Sequence, residues 1–336
     1  MMTSYQAPFP LFVHAWFRSG STYIWSKLRD NEKLICYYEP FHEVLGEKTL
    51  VEQIERHKPI ETSLNLRHPV QQRHYFNEYK KLLMKDQLNF VSELPYTNYF
   101  LLPNQEDIPR YKYIQTLISH AFNEDRLPVL SFCRSQMRSA WIKQNFLGTH
   151  IAQIRDPLSQ YESFTVQPYF RNTMIKIALD LRRNNPACFT HIVHFDRFAA
   201  SFEKRPDLPA EQLYEYFLKP DDFFAIFLVI WTLSVLQSMS CSDLTLDIDS
   251  LASDISYRSQ VRDWFAALGC FLDFSDCSTP LTTNFDTEKA ARMITEAGRA
   301  FRENACTVLV YDPLKIAIGL KCVSDRSRKA IDQFLN

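Results

Sequence analysis

The sequence predicts an α/β fold with a mainly parallel central sheet flanked by helices, on three observations. Short, continuous apolar runs recur along the chain, the pattern of strands buried on both faces. Helical patterning fills the stretches between them, and such alternation builds a parallel sheet covered on both sides. The 336 residues suffice for one large α/β domain, and no linker or composition shift divides them, so 1–336 is read as a single domain.

The strands are expected at 11–17 (LFVHAWF), 34–38 (LICYY), 129–133 (VLSFC), 151–154 (IAQI), 244–248 (LTLDI) and 307–311 (TVLVY). Helices are expected over 21–29, 72–89, 137–144, 158–164, 210–218, 222–239, 259–268 and 287–304. The alternation breaks across 46–128, which reads as a helical insertion or lid, and 206–220 reads as a second surface excursion. Residues 223–239 carry no charge, but their apolar part spans only about 14 residues, which suits a buried core helix better than an integral membrane span.

Composition narrows the function. Hydrophobic residues make up 46% and charged residues 23%, which excludes disorder. Lys and Arg number 38 against 39 Asp and Glu, so no global basic field recruits nucleic acid or anionic lipid. Any anion must be held by local charge. Glycine is scarce, 6 residues where average usage gives about 24, so a glycine in a special context carries information. The eight cysteines include no C-x-x-C pair and no histidine at ligand spacing, so no metal site is expected. Their apolar neighbours and the lack of a signal-like start lead to an expected cytoplasmic location with reduced thiols.

Three constellations carry chemistry. Phe17-Arg18-Ser19-Gly20-Ser21-Thr22-Tyr23 follows the first strand and opens a helix. A strand, a small-residue turn and a helix start can cradle a phosphate on backbone N–H groups and the helix dipole, and Arg18 adds a full charge. The alternative is a polar cap on an ordinary helix. Neither a Walker A string nor G-x-G-x-x-G is present.

The second constellation is Glu39-Pro40-Phe41-His42-Glu43, at the carboxyl end of the second strand. That edge of a parallel sheet binds ligands, and three ionisable groups there could supply a general base. A solvated charged turn is the alternative, favoured for Glu43. The third is Arg155-Asp156-Pro157 with Ser163 eight residues after the arginine. Asp156 suits a helix cap and Pro157 the first helical position. Arg155 and Ser163 can clamp one phosphate between guanidinium and hydroxyl, or serve as an ion pair and a helix filler.

Taken together, these residues resemble the sulfotransferases that use 3′-phosphoadenosine 5′-phosphosulfate (PAPS). Arg18-Ser19-Gly20-Ser21-Thr22 is similar to that family's 5′-phosphosulfate loop, in the form typical of the carbohydrate branch. Arg155 with Ser163 is similar to its 3′-phosphate signature, and Tyr38-Glu39-Pro40 to the E-P step after the loop. The likeness covers 10–45 and 129–165; the C-terminal R-K-G segment of cytosolic members is missing. The resemblance implies a P-loop-NTPase-like sulfotransferase fold. It also implies PAPS as cofactor with its desulfated product PAP, a small-molecule or glycan hydroxyl acceptor, and no metal. It assigns Arg18, Ser19, Gly20, Ser21, Thr22, Tyr23, Arg155 and Ser163 to the nucleotide, Arg18 to the leaving oxygen, and Glu39 or His42 to proton transfer. A P-loop kinase-like enzyme and a non-catalytic nucleotide-binding protein on the same fold stand as alternatives.

Other residues read as structure. Arg134 and Arg138 are expected in surface or structural ion pairs, and His14 as buried structure. His191 and His194 are read as core or surface residues, and Asp247 and Asp249 as turn and cap residues. Tyr161, Phe164 and Tyr169 are expected in the core.

Overall fold

The computed structural model describes residues 9–56, 71–184, 189, 192–204 and 210–278. Strands β1 (Leu11–His14), β2 (Leu34–Tyr38), β3 (Leu127–Phe132), β4 (Thr149–Ile154) and β5 (Leu244–Asp247) form one sheet in the order β2-β3-β1-β4-β5. All pairings between these five strands are parallel, and Leu11 at the centre faces Val129 on one side and Thr149 on the other. β1 and β2 are buried at every position, which is why they read as continuous apolar runs. The strand expected at 307–311 and the helix at 287–304 lie outside the described residues.

Helix α1 (Ser21–Arg29) joins β1 to β2. The β2-to-β3 crossover holds α2 (Leu50–Glu55), α3 (Lys80–Met84) and α4 (Ile108–Asn123). The helix expected over 72–89 is not there. A 3₁₀ turn at Asn77–Tyr79 and the short α3 replace it, and Asp86 and Asn89 take φ of 53° and 55°, which end any helix. Tertiary packing won over periodicity, because Phe76 and Tyr79 are fully buried and ring against Tyr38 and Tyr37 of β2. α4 starts from Asp107, whose carboxylate accepts from Arg110 N–H, and buries Tyr113, Ile114 and Leu117.

Between β3 and β4 runs α5 (Ser139–Asn145). Between β4 and β5 come α6 (Pro157–Phe164), α7 (Pro168–Asn184), α8 (Val193–Lys204), α9 (Ala210–Phe217) and α10 (Pro220–Cys241); α11 (Ile248–Ser253) and α12 (Ile255–Ala267) follow β5. The excursion expected at 206–220 instead turns inward where it is described, since Tyr214 of α9 is buried edge-on against Phe223. α7 and α8 were not foreseen from the sequence. By length and composition α10 could cross a membrane, yet most of it is buried against β4, α5, α6 and α7. An all-round apolar helix is what a central position demands.

His14 of β1 is fully buried, as expected, but in a polar chain. Its Nδ1 lies 2.8 Å from Ser135 Oγ, and its Nε2 lies 3.0 Å from His150 Nδ1. Burial holds the His14 ring well below the usual imidazole range and lowers His150 to about 4. Both groups therefore stabilise the fold above pH 6.5 and lose that contribution as pH falls toward 4. Asp156, raised to about 6 chiefly by burial, acts with the opposite sign. A variant carrying His14→Phe and His150→Phe keeps Asp156. Urea titrations from pH 7.5 to 4 are expected to show a shallower loss of stability in that variant than in the wild type; parallel curves would refute the assignment.

Candidate functional site

Strands β1 and β4 are neighbours whose onward connections leave in opposite directions, toward β2 and toward β5. Their carboxyl ends form the switch point of the sheet, where open α/β sheets bind ligands. Arg18 follows β1 at this edge and Arg155 follows β4.

The turn after β1 is held in an unusual shape. Arg18 has φ 65° and Gly20 has φ 85°, both in the left-handed region. Gly20 caps α1, and a Cβ there would meet Ile248 Cγ1 at 3.1 Å. Arg18 has no such freedom, and strain of this kind persists only where the surroundings enforce it. They do so through successive carbonyls. Gln160 Nε2 donates to Phe17 O (2.6 Å), Arg155 Nη1 to Arg18 O (3.1 Å) and Gln153 Nε2 to Ser19 O (2.8 Å). No side chain caps α1 and no acid sits in its first turn, so its positive end is not neutralised from within the helix.

Arg18 Nε donates to Ser163 Oγ at 2.9 Å, and its guanidinium lies 5.6 Å from the Phe170 ring. Arg155 is 6% exposed, and its Nε and Nη2 have no hydrogen-bond partner. Asp249 Oδ1 stands 3.7 Å from Nε, an ion pair beyond hydrogen-bond reach. Arg18, Arg155 and Ser163 thus form one group, although Ser163 bonds to Arg18 and not to Arg155. Buried donors without partners are costly, and a buried guanidinium fits an anionic oxygen.

The loop hydroxyls point inward. Ser19 Oγ donates to Trp16 O (2.7 Å), Ser21 Oγ contacts Cys133 Sγ (3.0 Å) and Thr22 Oγ1 contacts Tyr38 OH (2.8 Å). The Tyr23 hydroxyl donates to Asp276 (2.7 Å). What this loop can offer an anion is therefore the backbone N–H groups of Gly20, Ser21 and Thr22, since Ser19 N–H donates to Trp16 O (3.3 Å), together with the charge of Arg18.

Beyond β2 and β3 lies an acidic cluster. Glu39 has φ 41°, donates its N–H to Ser131 O and accepts from His42 N–H, both at 2.8 Å. Its Oε2 accepts from Arg134 Nη1 at 3.0 Å. Arg134 Nη2 donates to Glu43 Oε2 (2.8 Å) and to the Tyr169 hydroxyl (2.6 Å), which in turn donates to Glu43 Oε1 (2.7 Å). Burial, the largest single influence, would raise the Glu43 carboxyl, but Arg134, His42, a backbone hydrogen bond and the Tyr169 hydroxyl together bring it down to about 2. His42 Nδ1 accepts from Val44 N–H at 3.2 Å, and burial lowers its pKa.

Several expectations change. Glu43 belongs to this cluster, not to a solvated turn. Of the surface or structural ion pair expected for Arg134, the structure shows the structural one, with the side chain 1% exposed. Tyr161 and Phe164 are core residues, whereas Tyr169 bonds the cluster. Asp247 caps α11 and Asp249 accepts from Asp156 N–H. His194 pairs with Asp222, and His191 lies outside the described residues. Sequence reasoning missed Gln153, Gln160 and Trp231. A glutamine inside the apolar run IAQI was the available signal, since a buried amide must find partners. Among the described residues no group of His, Cys, Asp and Glu could hold a metal.

No protein-family model, curated protein or solved structure matches this chain. Its chemistry rests on the residues described above.

Proposed function

We propose that this chain is a PAPS-dependent sulfotransferase of P-loop-NTPase-like architecture that acts on a hydroxyl acceptor. One observation carries the reading: Arg155, buried with two guanidinium nitrogens that make no hydrogen bond, holds the carbonyl of Arg18, whose side chain reaches Ser163, at the switch point of the sheet. Arg155 and Ser163 would hold the 3′-phosphate. Ser163 Oγ already accepts from Arg18, which leaves its own proton to donate. Arg18 and the backbone of Ser19, Gly20, Ser21 and Thr22 would surround the 5′ side. Bound there, PAPS supplies the sulfuryl group and a phosphate leaving group.

Catalysis of this kind is mostly placement and electrostatics. Arg18 brings a planar, delocalised guanidinium charge to the charge that develops on the leaving oxygen. Glu39 takes the proton of the acceptor hydroxyl at Oε1, the oxygen Arg134 does not hold. His42 is less suited, because the Val44 N–H fills its Nδ1 lone pair and puts the neutral ring's proton on Nε2.

Calorimetric titration with adenosine 3′,5′-bisphosphate, AMP and ATP tests the reading. Binding of the bisphosphate well above the other two is expected, followed by sulfuryl transfer from PAPS in an acceptor screen. Equal binding of all three, or a preference for ATP with magnesium, would overturn it. Bisphosphate binding without turnover would leave a nucleotide-binding protein.

A further inference from the structure

We propose that Arg134 is the positioning residue for Glu39, coupling the proton-transfer side of the site to the turn that carries Arg18. This rests on the sulfotransferase reading above. Arg134 emerges from the end of β3 and is 1% exposed. Nη1 reaches Glu39 Oε2 at 3.0 Å and Phe41 O at 3.2 Å, both beyond β2. Nη2 reaches Glu43 and Tyr169, the latter on α7. One rigid fork thus ties three elements together, a geometry lysine cannot reproduce.

The same guanidinium lies 4.8 Å from the Phe17 ring. Phe17 directly precedes Arg18, and its carbonyl is held by Gln160. Arg134 therefore touches both the carboxylate and the turn bearing the cation. Glu39 needs such a tether, since its backbone sits at φ 41°, where a glutamate does not rest unaided. Cys133, the preceding residue, meets Ser21 Oγ at 3.0 Å and adds a second link between the two halves.

Glu43 sets a division of labour. It occupies Nη2 and Tyr169, so Nη1 stays aimed at Glu39. Replacing Arg134 removes the donor that holds Glu39, whereas Glu43 keeps the Tyr169 hydroxyl.

The test uses the full chain with Arg134→Lys, Arg134→Gln, Glu39→Gln and the Arg134→Gln/Glu39→Gln double variant. Arg134→Lys keeps a buried cation and guards against loss of folding, which thermal melting monitors. For each protein the affinity for adenosine 3′,5′-bisphosphate and kcat for sulfuryl transfer are measured. Arg134→Lys is expected to retain bisphosphate affinity within about twofold while kcat falls roughly 100-fold, the scale of a displaced general base. The double variant is expected to be no slower than Glu39→Gln, because a positioning residue has nothing left to position. Losses that multiply in the double variant, or an unchanged kcat in Arg134→Lys, would overturn the proposal while leaving the sulfotransferase reading intact. A wild type that fails to bind the bisphosphate would end both.

Discussion

Replacing Arg155 by alanine is expected to weaken binding of adenosine 3′,5′-bisphosphate about 10- to 150-fold and to leave AMP binding nearly unchanged. The magnitude follows from a charge-assisted hydrogen bond worth about 1.5–3 kcal/mol, at about 1.4 kcal/mol per decade of affinity. The selectivity follows from geometry. Arg155 spends Nη1 on the Arg18 carbonyl and makes no hydrogen bond through Nε or Nη2 while almost wholly buried. A ligand with a 3′-phosphate can use them; AMP has no group to place there. The Arg18 carbonyl also loses a donor in this variant, and a general slackening of the turn would weaken both nucleotides alike. Equal losses for the two, measured side by side by calorimetry, would mean that Arg155 serves only the turn. Ser163→Ala provides a second reading, with a smaller loss confined to the bisphosphate.

The second large effect concerns stability. Trp231→Ala is expected to cost about 3–5 kcal/mol, the range for deleting a buried aromatic side chain. Trp231 lies midway along α10 and is 2% exposed. Its indole N–H donates to Arg155 O at 3.2 Å and to Gln160 Oε1 at 3.1 Å. Gln160 in turn holds Phe17 O, so the central helix braces the turn after β1 through two side chains. Trp231→Phe keeps most of the packing but leaves those acceptors without the indole donor, at about 1–3 kcal/mol. Chemical denaturation distinguishes the two. A loss below about 1 kcal/mol in Trp231→Ala would mean that α10 is not seated against the sheet as described.

How far the sequence carried depended on the range of the interaction. The run LICYY becomes a strand wherever it is buried on both faces, and Asp156 before Pro157 starts α6 through its own local hydrogen bond to Ser159 N–H. Gly20 was marked by scarcity, and its positive φ meets that mark. The positions of Arg18, Glu39 and Arg155 at the carboxyl edge also followed from where the strands end. The helix expected over 72–89 failed because aromatic residues there pack onto β2 in an irregular path.

By itself, then, the sequence determined the parallel α/β class, the turns after β1, β2 and β4, and the residues at the carboxyl edge of the sheet, because these depend on hydrophobic patterning and on neighbours a few residues apart. Only the tertiary structure decided the strand order, the inward pairing of Ser21 and Thr22, the transfer of Ser163 to Arg18, and the burial of Arg134 between two carboxylates. Those contacts join residues 16, 91, 95, 112 or 145 positions apart. No periodicity encodes which side chains meet over such separations; burial of the whole chain does, by forcing each enclosed donor and charge to find a partner or to wait for a ligand.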